Sequence, residues 1–272
     1  MSKPLTVRPS PLAGRWYPRD PEELATLVDH YLNVPNTRQF ARPIGVLVPH
    51  AGIIFSGSVA GKAFSITRDL TIDSVVIVGP SHHPYPARLL STAHSHYETP
   101  LGRVPVAVDL VEALESRLGV RRVANDPEHA IEIELPFLQQ ALKGTFNLLP
   151  IAMIDQSWET SQQLGKLIAE LIQDRQTLLV ASSDLSHFYP QEEANRLDRV
   201  ILDAVADYAP QAVIQADEQG QGFACGRGAI AATMVAAQRL GASAAEIVGY
   251  ATSGDATGDM SRVVGYGAAL FN

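Results

Sequence analysis

The chain holds 272 residues, 46% hydrophobic and 18% charged, an ordinary balance for a globular domain able to bury a sizeable core. Its net charge of −8 argues against a nucleic-acid partner, which calls for a basic patch, and its single cysteine excludes an internal disulfide and zinc-finger spacing. No run approaches the roughly 20 apolar residues of a membrane span, and the start of the chain lacks a signal-peptide core, so a soluble, cytoplasmic protein without a membrane partner is expected.

Residues 1–20 read as irregular, because Pro4, Pro9, Pro11 and Pro18 interrupt any regular element. "DPEELATLVDHYLN" (20–33) then reads as a helix: Asp20 can cap it, Pro21 suits its first turn, and Leu24, Leu27, Val28 and Tyr31 share a face. Four apolar runs follow: "IGVLV" (44–48), "SVVIVG" (74–79), "FNLLPIAMI" (146–154) and "TLLVASS" (177–183). They are too continuous for half-exposed strands and suit strands covered on both faces. Helical patterns lie at about 56–67, 108–118, 129–142 and 160–173, then at about 191–207 and 227–240. "EIVGYAT" (246–252) and "VVGYGAALF" (263–271) read as closing strands. This alternation predicts an α/β fold: a single domain over 1–272, with a largely parallel central sheet and helices on both faces.

Three of the apolar runs end alike. "IGVLV" runs into Pro49-His50-Ala51-Gly52, "SVVIVG" into Pro80-Ser81-His82-His83, and "TLLVASS" into Asp184-Leu185-Ser186-His187. Open α/β sheets bind ligands beyond the carboxyl ends of their strands, so parallel neighbours would bring His50, His82 and His187 to one rim. Histidine is the commonest side-chain metal ligand. A lone loop histidine is ordinarily surface or core; three at equivalent strand ends favour a shared site. His83 is the alternative to His82, since one of two neighbours normally points into a cleft.

Cys225, in "FACGRGAI", precedes an Ala-rich helix, where a thiol with a lowered pKa can ligate a metal or attack; a small buried hydrophobe is the plainer reading. In "PEHAIEIELPFL" (127–138), Glu128 and His129 open a predicted helix and Glu132 lies one turn on. His129 and Glu132 could orient a ligand or relay a proton, or could simply be a dipole-favoured carboxylate beside a satisfied histidine. His94 and His96 alternate on a strand face that reads as an exposed edge, His30 sits on the exposed side of the first helix, and "SGDATGDMS" (253–261) reads as a turn without calcium-loop spacing. Nucleotide-binding glycine motifs and a G-x-S-x-G elbow are absent from the sequence.

In order, "GRWYP", "VPHAGIIFSG", "GPSHH", "EHAIEIELPFL", "SSDLSHF" and "CGRGAI" resemble the Memo family, whose bacterial members are called AmmeMemoRadiSam system protein B. The resemblance spans nearly the whole chain. It implies the fold of class III extradiol ring-cleaving dioxygenases, with a metal at the sheet's rim. Residue by residue, His50, His82 and Cys225 match the family's metal-binding positions, His187 the neighbouring acid/base histidine, and Asp184 an acidic position beside it. The dioxygenases hold iron with two histidines and a carboxylate. A cysteine in the third position is softer, oxidisable, and favours Cu(I), zinc or iron, which separates this chain from ring cleavage. The expectation is a mononuclear protein binding Fe(II) or copper, with zinc as a further candidate, through His50, His82 and Cys225. His187 would be the acid/base group, with Asp184 and Glu132 orienting. If an enzyme, it would be a non-haem metal-dependent oxidoreductase acting on a small molecule or peptide. The resemblance also implies radical SAM and AMMECR-type partner proteins. The alternative is a non-catalytic metal- or peptide-binding module, and a third reading is metal-free thiol chemistry at Cys225.

Overall fold

The computed structural model describes residues 6–34 and 42–272. The chain runs through β1 (Val7–Arg8), α1 (Pro21–Leu32), β2 (Gly45–Val48), α2 (Ile53–Phe64), β3 (Ser74–Pro80), β4 (Leu89–Thr92), β5 (His96–Thr99), β6 (Gly102–Pro105), α3 (Val108–Leu118) and β7 (Arg121–Val123). It continues with α4 (Leu135–Ala141), β8 (Asn147–Met153), α5 (Trp158–Ile172), β9 (Thr177–Ser182), β10 (His187–Tyr189), α6 (Gln191–Ala206), α7 (Pro210–Glu218), α8 (Arg227–Arg239), β11 (Ala245–Thr252), α9 (Ser253–Thr257) and β12 (Val263–Phe271).

Local chemistry sets several of these bounds. Asp20 caps α1 by accepting from the Glu22 and Glu23 amides, while Leu24, Val28 and Leu32 bury its inner face. Gly119 closes α3 in the left-handed region, at a φ of 67° that a side chain would strain. The helix expected over 129–142 begins only at Leu135, after a 3-10 turn at Glu132–Glu134. Pro136 suits the new start, and the residues before it are occupied at the site described below. "SGDATGDMS" includes a short helix, α9, because Thr252 and Asp255 form a capping box across it.

The four apolar runs form the middle of one large sheet. Its order is β10-β12-β2-β9-β3-β8-β4-β7, with β11 also on β12. β2, β9, β3 and β8 are mutually parallel. Both flanks turn antiparallel, β12 against β2 and β4 against β8, so the sheet is parallel at its centre and mixed overall. A small second sheet joins β1, β5 and β6. α8, backed by α5, covers β2, β9 and β3, while α2, backed by α1 and α4, packs on β2, β12 and β11. The result is a single-domain α/β fold with helices on both sides, consistent with the dioxygenase-type architecture that the resemblance implies. α8 is alanine-rich because nearly every side chain from Gly228 to Ala237 is buried, wedged between sheet and α5. Among the described residues no helix is long and apolar enough to cross a membrane.

Candidate metal centre

Register fixes the site. β2 and β9 pair with Val48 beside Ser182, and β9 pairs with β3 on its other edge. Three strands therefore end together, and the segments leaving them share one rim. His50 follows β2, His82 follows β3, and the chain past β9 carries Asp184 and His187. The convergence expected of strand-end histidines is present, and a fourth imidazole joins it.

His50, His82 and His129 each offer a ring nitrogen, and these three atoms lie within 4.8 Å of one another. The His82 and His129 rings stack at 4.5 Å, and each meets His50 edge-on at 5.3 Å. Glu128 organises two of the three. Its Oε2 accepts from the His82 amide at 2.6 Å, and its Oε1 lies 2.9 Å from His82 Nδ1 and accepts the His129 and Ala130 amides. Burial works against the charge, but the His82 ring and these amides hold Glu128 well below the usual carboxylate range. Burial likewise opposes a charged His82, yet Glu128 outweighs it and raises that pKa. His50 is buried, and burial together with the His129 and His82 rings lowers its pKa well below the ordinary value. Burial takes His129 down to about 4. Neutral imidazoles are the ligating form, and a carboxylate holding one ring nitrogen presents the other outward. The donor set thus fits a single metal ion.

Cys225 lies outside this compact trio but touches one member: its Sγ is 3.1 Å from His50 Nε2. Gly226 makes the approach feasible, since a Cβ there would sit 2.8 Å from Ser182 O. The thiol is not the activated one that a helix start suggests. Burial, and then Asp184, pushes its pKa up, so it is a thiol that donates toward His50. Asp184 accepts from the His50 amide at 2.8 Å, and burial raises its carboxyl to about 7. His187 faces the same cavity, its pKa lowered by burial and by His82. That cavity measures about 880 Å³. The histidines and Asp184 line it together with Trp16, Phe55, Phe188, Tyr266 and Arg262. Phe188 holds a φ of 64°, uncommon for a bulky residue, and leaves its ring exposed beneath the Arg262 guanidinium at 5.5 Å. A second, smaller cavity reaches Cys225 from beyond His187 and Tyr189.

The family model for Memo-like protein matches residues 8–270. The chain belongs to the Memo-like family. A MEMO1 family protein of Methanopyrus kandleri is 35% identical over 274 residues, covering 96% of this chain and 97% of its own. One from Archaeoglobus fulgidus is 35% identical, with 96% and 97% covered, and one from Nitrosopumilus maritimus 31% identical, with 97% and 99% covered.

Not every candidate of this Memo-like chain reaches the cluster. Glu132 turns to the N-terminal segment: its Oε1 accepts from Ser10, Tyr17 and the Leu12 amide, and its Oε2 pairs with buried Arg8 at 2.5 Å. Arg8 also donates to the carbonyls of Asp126 and Glu128. Glu132 therefore anchors the strap that lays Trp16 on His129, ring centroids 4.4 Å apart. His83 is exposed, and His94 bonds Ala124 O at 2.8 Å. From the sequence, His129 is equally an orienting neighbour of the site or a satisfied histidine, and Glu128 opens a helix beside it. The adjacent pair Glu128-His129 was the available signal, since a carboxylate beside a histidine is a common ligand-orienting unit.

Proposed function

We propose that the chain is a mononuclear metal-binding protein, and that His50, His82 and His129 hold the ion. The observation that carries this is three ring nitrogens within 4.8 Å, with the His50 and His82 rings already held through Nδ1 by Ser182 and Glu128. Cys225, touching His50 Nε2, stands where a thiolate would join or replace one imidazole once its proton leaves. Imidazole with thiolate suits iron and copper, with zinc as the redox-inert occupant. A bound redox metal would supply oxygen activation or polarise an oxygen of the substrate. The chain's own residues do the rest. The aromatic walls exclude water and position a substrate over the histidines. His187, held neutral, accepts a proton, and Asp184, raised to about 7, can carry one near neutrality. We read the activity as a non-haem metal-dependent oxidoreductase on a small molecule, working in the cytoplasm beside radical SAM and AMMECR-type proteins. Co-purification from cells tests that last part.

The test of the centre is metal content after anaerobic purification, with oxygen uptake measured on the loaded protein. Wild type is expected to carry about one ion per chain, while His50→Ala and His82→Ala lose it. Equal metal in wild type and His50→Ala rejects the centre. His129→Ala and Cys225→Ala then apportion the third position: the larger loss names the ligand. One observation favours a non-catalytic binding module instead. Ile54 and Phe188 at the cavity, with Met260, are large apolar side chains left exposed. A metal-loaded protein that consumes no oxygen with any catechol or thiol offered supports that alternative.

A further inference from the structure

Beneath His50 lies a hydroxyl with more partners than protons. Ser182 Oγ is 2.6 Å from the Ala130 carbonyl oxygen, 2.9 Å from His50 Nδ1 and 2.9 Å from Glu134 Oε1. A serine hydroxyl has one hydrogen and two lone pairs. The carbonyl can only accept, and the 2.6 Å separation is the shortest of the three, so the single hydrogen goes to Ala130. The other two contacts must each bring a hydrogen of their own. His50 must donate through Nδ1, and Glu134 must donate through a carboxyl O–H.

The surroundings of Glu134 agree. Its side chain is 1% exposed. The charged neighbour acting on it is another carboxyl, Asp184, and burial drives its pKa well above the ordinary range. Among the described residues no ion pair to Glu134 is found, and a buried carboxyl without a cation keeps its proton. Glu132, two residues earlier on the same 3-10 turn, faces Arg8 instead.

We propose that Glu134 is a neutral carboxylic acid that acts as a positioning residue: by donating to Ser182 it saturates that hydroxyl and locks His50 as the Nδ1–H tautomer, with the Nε2 lone pair aimed into the cluster. The Cys225 thiol lies 3.1 Å from that same nitrogen, the place where a donor S–H finds the lone pair. The tautomer assignment stands on its own; only its consequence for affinity rests on the metal reading above.

Glutamine at 134 separates a neutral donor from a negative charge, because its amide N–H can donate to Ser182 but carries no charge. Infrared difference spectra of wild type minus Glu134→Gln should show the carbonyl stretch of a protonated carboxyl, shifted in heavy water. Nitrogen NMR of His50 should report Nδ1–H in wild type and in Glu134→Gln. Iron(II) titrated anaerobically should bind Glu134→Gln within about threefold of wild type and Glu134→Leu roughly tenfold more weakly, as outer partners of metal ligands usually do. No protonated-carboxyl band, an Nε2–H tautomer at His50, or a Gln variant as impaired as the Leu variant overturns the proposal. Should wild type bind no iron at all, the metal reading fails while the infrared and NMR results still decide this one. They need no Leu variant, so its failure to fold leaves the proposal testable.

Discussion

Glu132 and Glu134 stand on one tight turn yet meet opposite surroundings, one against a buried arginine and the other against a serine and a second carboxyl. The second environment has a consequence for stability. Glu134 has an ordinary pKa of 4.5 when unfolded, and burial raises it well above that in the folded chain. Between the two values the folded state holds one proton more than the unfolded state. Stability from this group is therefore full below 4.5 and declines as pH rises toward the folded value, by at most about 1.4 kcal/mol per pH unit. Glutamine has no proton to lose, and Asp184 remains in both proteins. The stability of Glu134→Gln relative to wild type should climb by up to about 1.4 kcal/mol per unit as pH rises above 4.5 toward the folded value. Urea unfolding at several pH values measures it; a difference independent of pH means an ionised Glu134. Nothing in the residue pattern singles Glu134 out. Helical spacing places Glu132 one turn from His129, whereas the 3-10 turn rotates Glu132 toward Arg8 and Glu134 toward Ser182. Residue types were readable; which side of an irregular turn each would face was not.

At the scale of elements, close approach between backbones decides which substitutions hurt. α5 and α8 cross at Gly165, where a Cβ would lie 2.4 Å from the Ala232 carbonyl oxygen, an atom that cannot step aside. Gly165→Ala should destabilise by about 1–3 kcal/mol, as overpacking does, through separation of the two helices. Thermal unfolding measures it, and an unchanged midpoint rejects the crossing as described. The strap from β1 to α1 depends on charge instead. Arg8→Met leaves buried Glu132 without its cation, at a cost of about 3–5 kcal/mol, and frees the carbonyls of Asp126 and Glu128. That loss should loosen the loop carrying Glu128 and His129, so hydrogen exchange in residues 124–131 should quicken more than in β3. Long regular elements were legible from their apolar period: the central strands and α3, α5, α6 and α8 fall within a few residues of expectation. Short ones were not. β1, β7 and α9 are set by tertiary pairing or by one capping box, and α7 by packing on α6 and α8, none of which leaves a periodic trace.

For the whole molecule, the rim gathers chain from five distant stretches: the exits of β2, β3 and β9, the loop before α4, and the Cys225 turn before α8. A ligand held by His50, His82 and His129 would tie β2, β3 and that loop together only in the folded chain. Binding to the folded state alone stabilises by RT ln(1 + [L]/Kd), about 2.7 kcal/mol when free ligand is a hundred times Kd. In a chain of this size each kcal/mol moves the midpoint by roughly 2 °C, so a saturating ion should raise Tm by roughly 5 °C over chelator-treated protein. The rise should vanish in His82→Ala, whose Nε2 is gone. It should persist in Glu98→Gln, which alters a surface pair of half-exposed side chains outside the cavity lining. A metal-dependent rise of equal size in wild type and His82→Ala places the ion elsewhere, because no exposed acidic patch would distinguish the histidine from its replacement. The comparison reads the centre through folding rather than turnover. It therefore separates a protein that holds a metal from one that uses it.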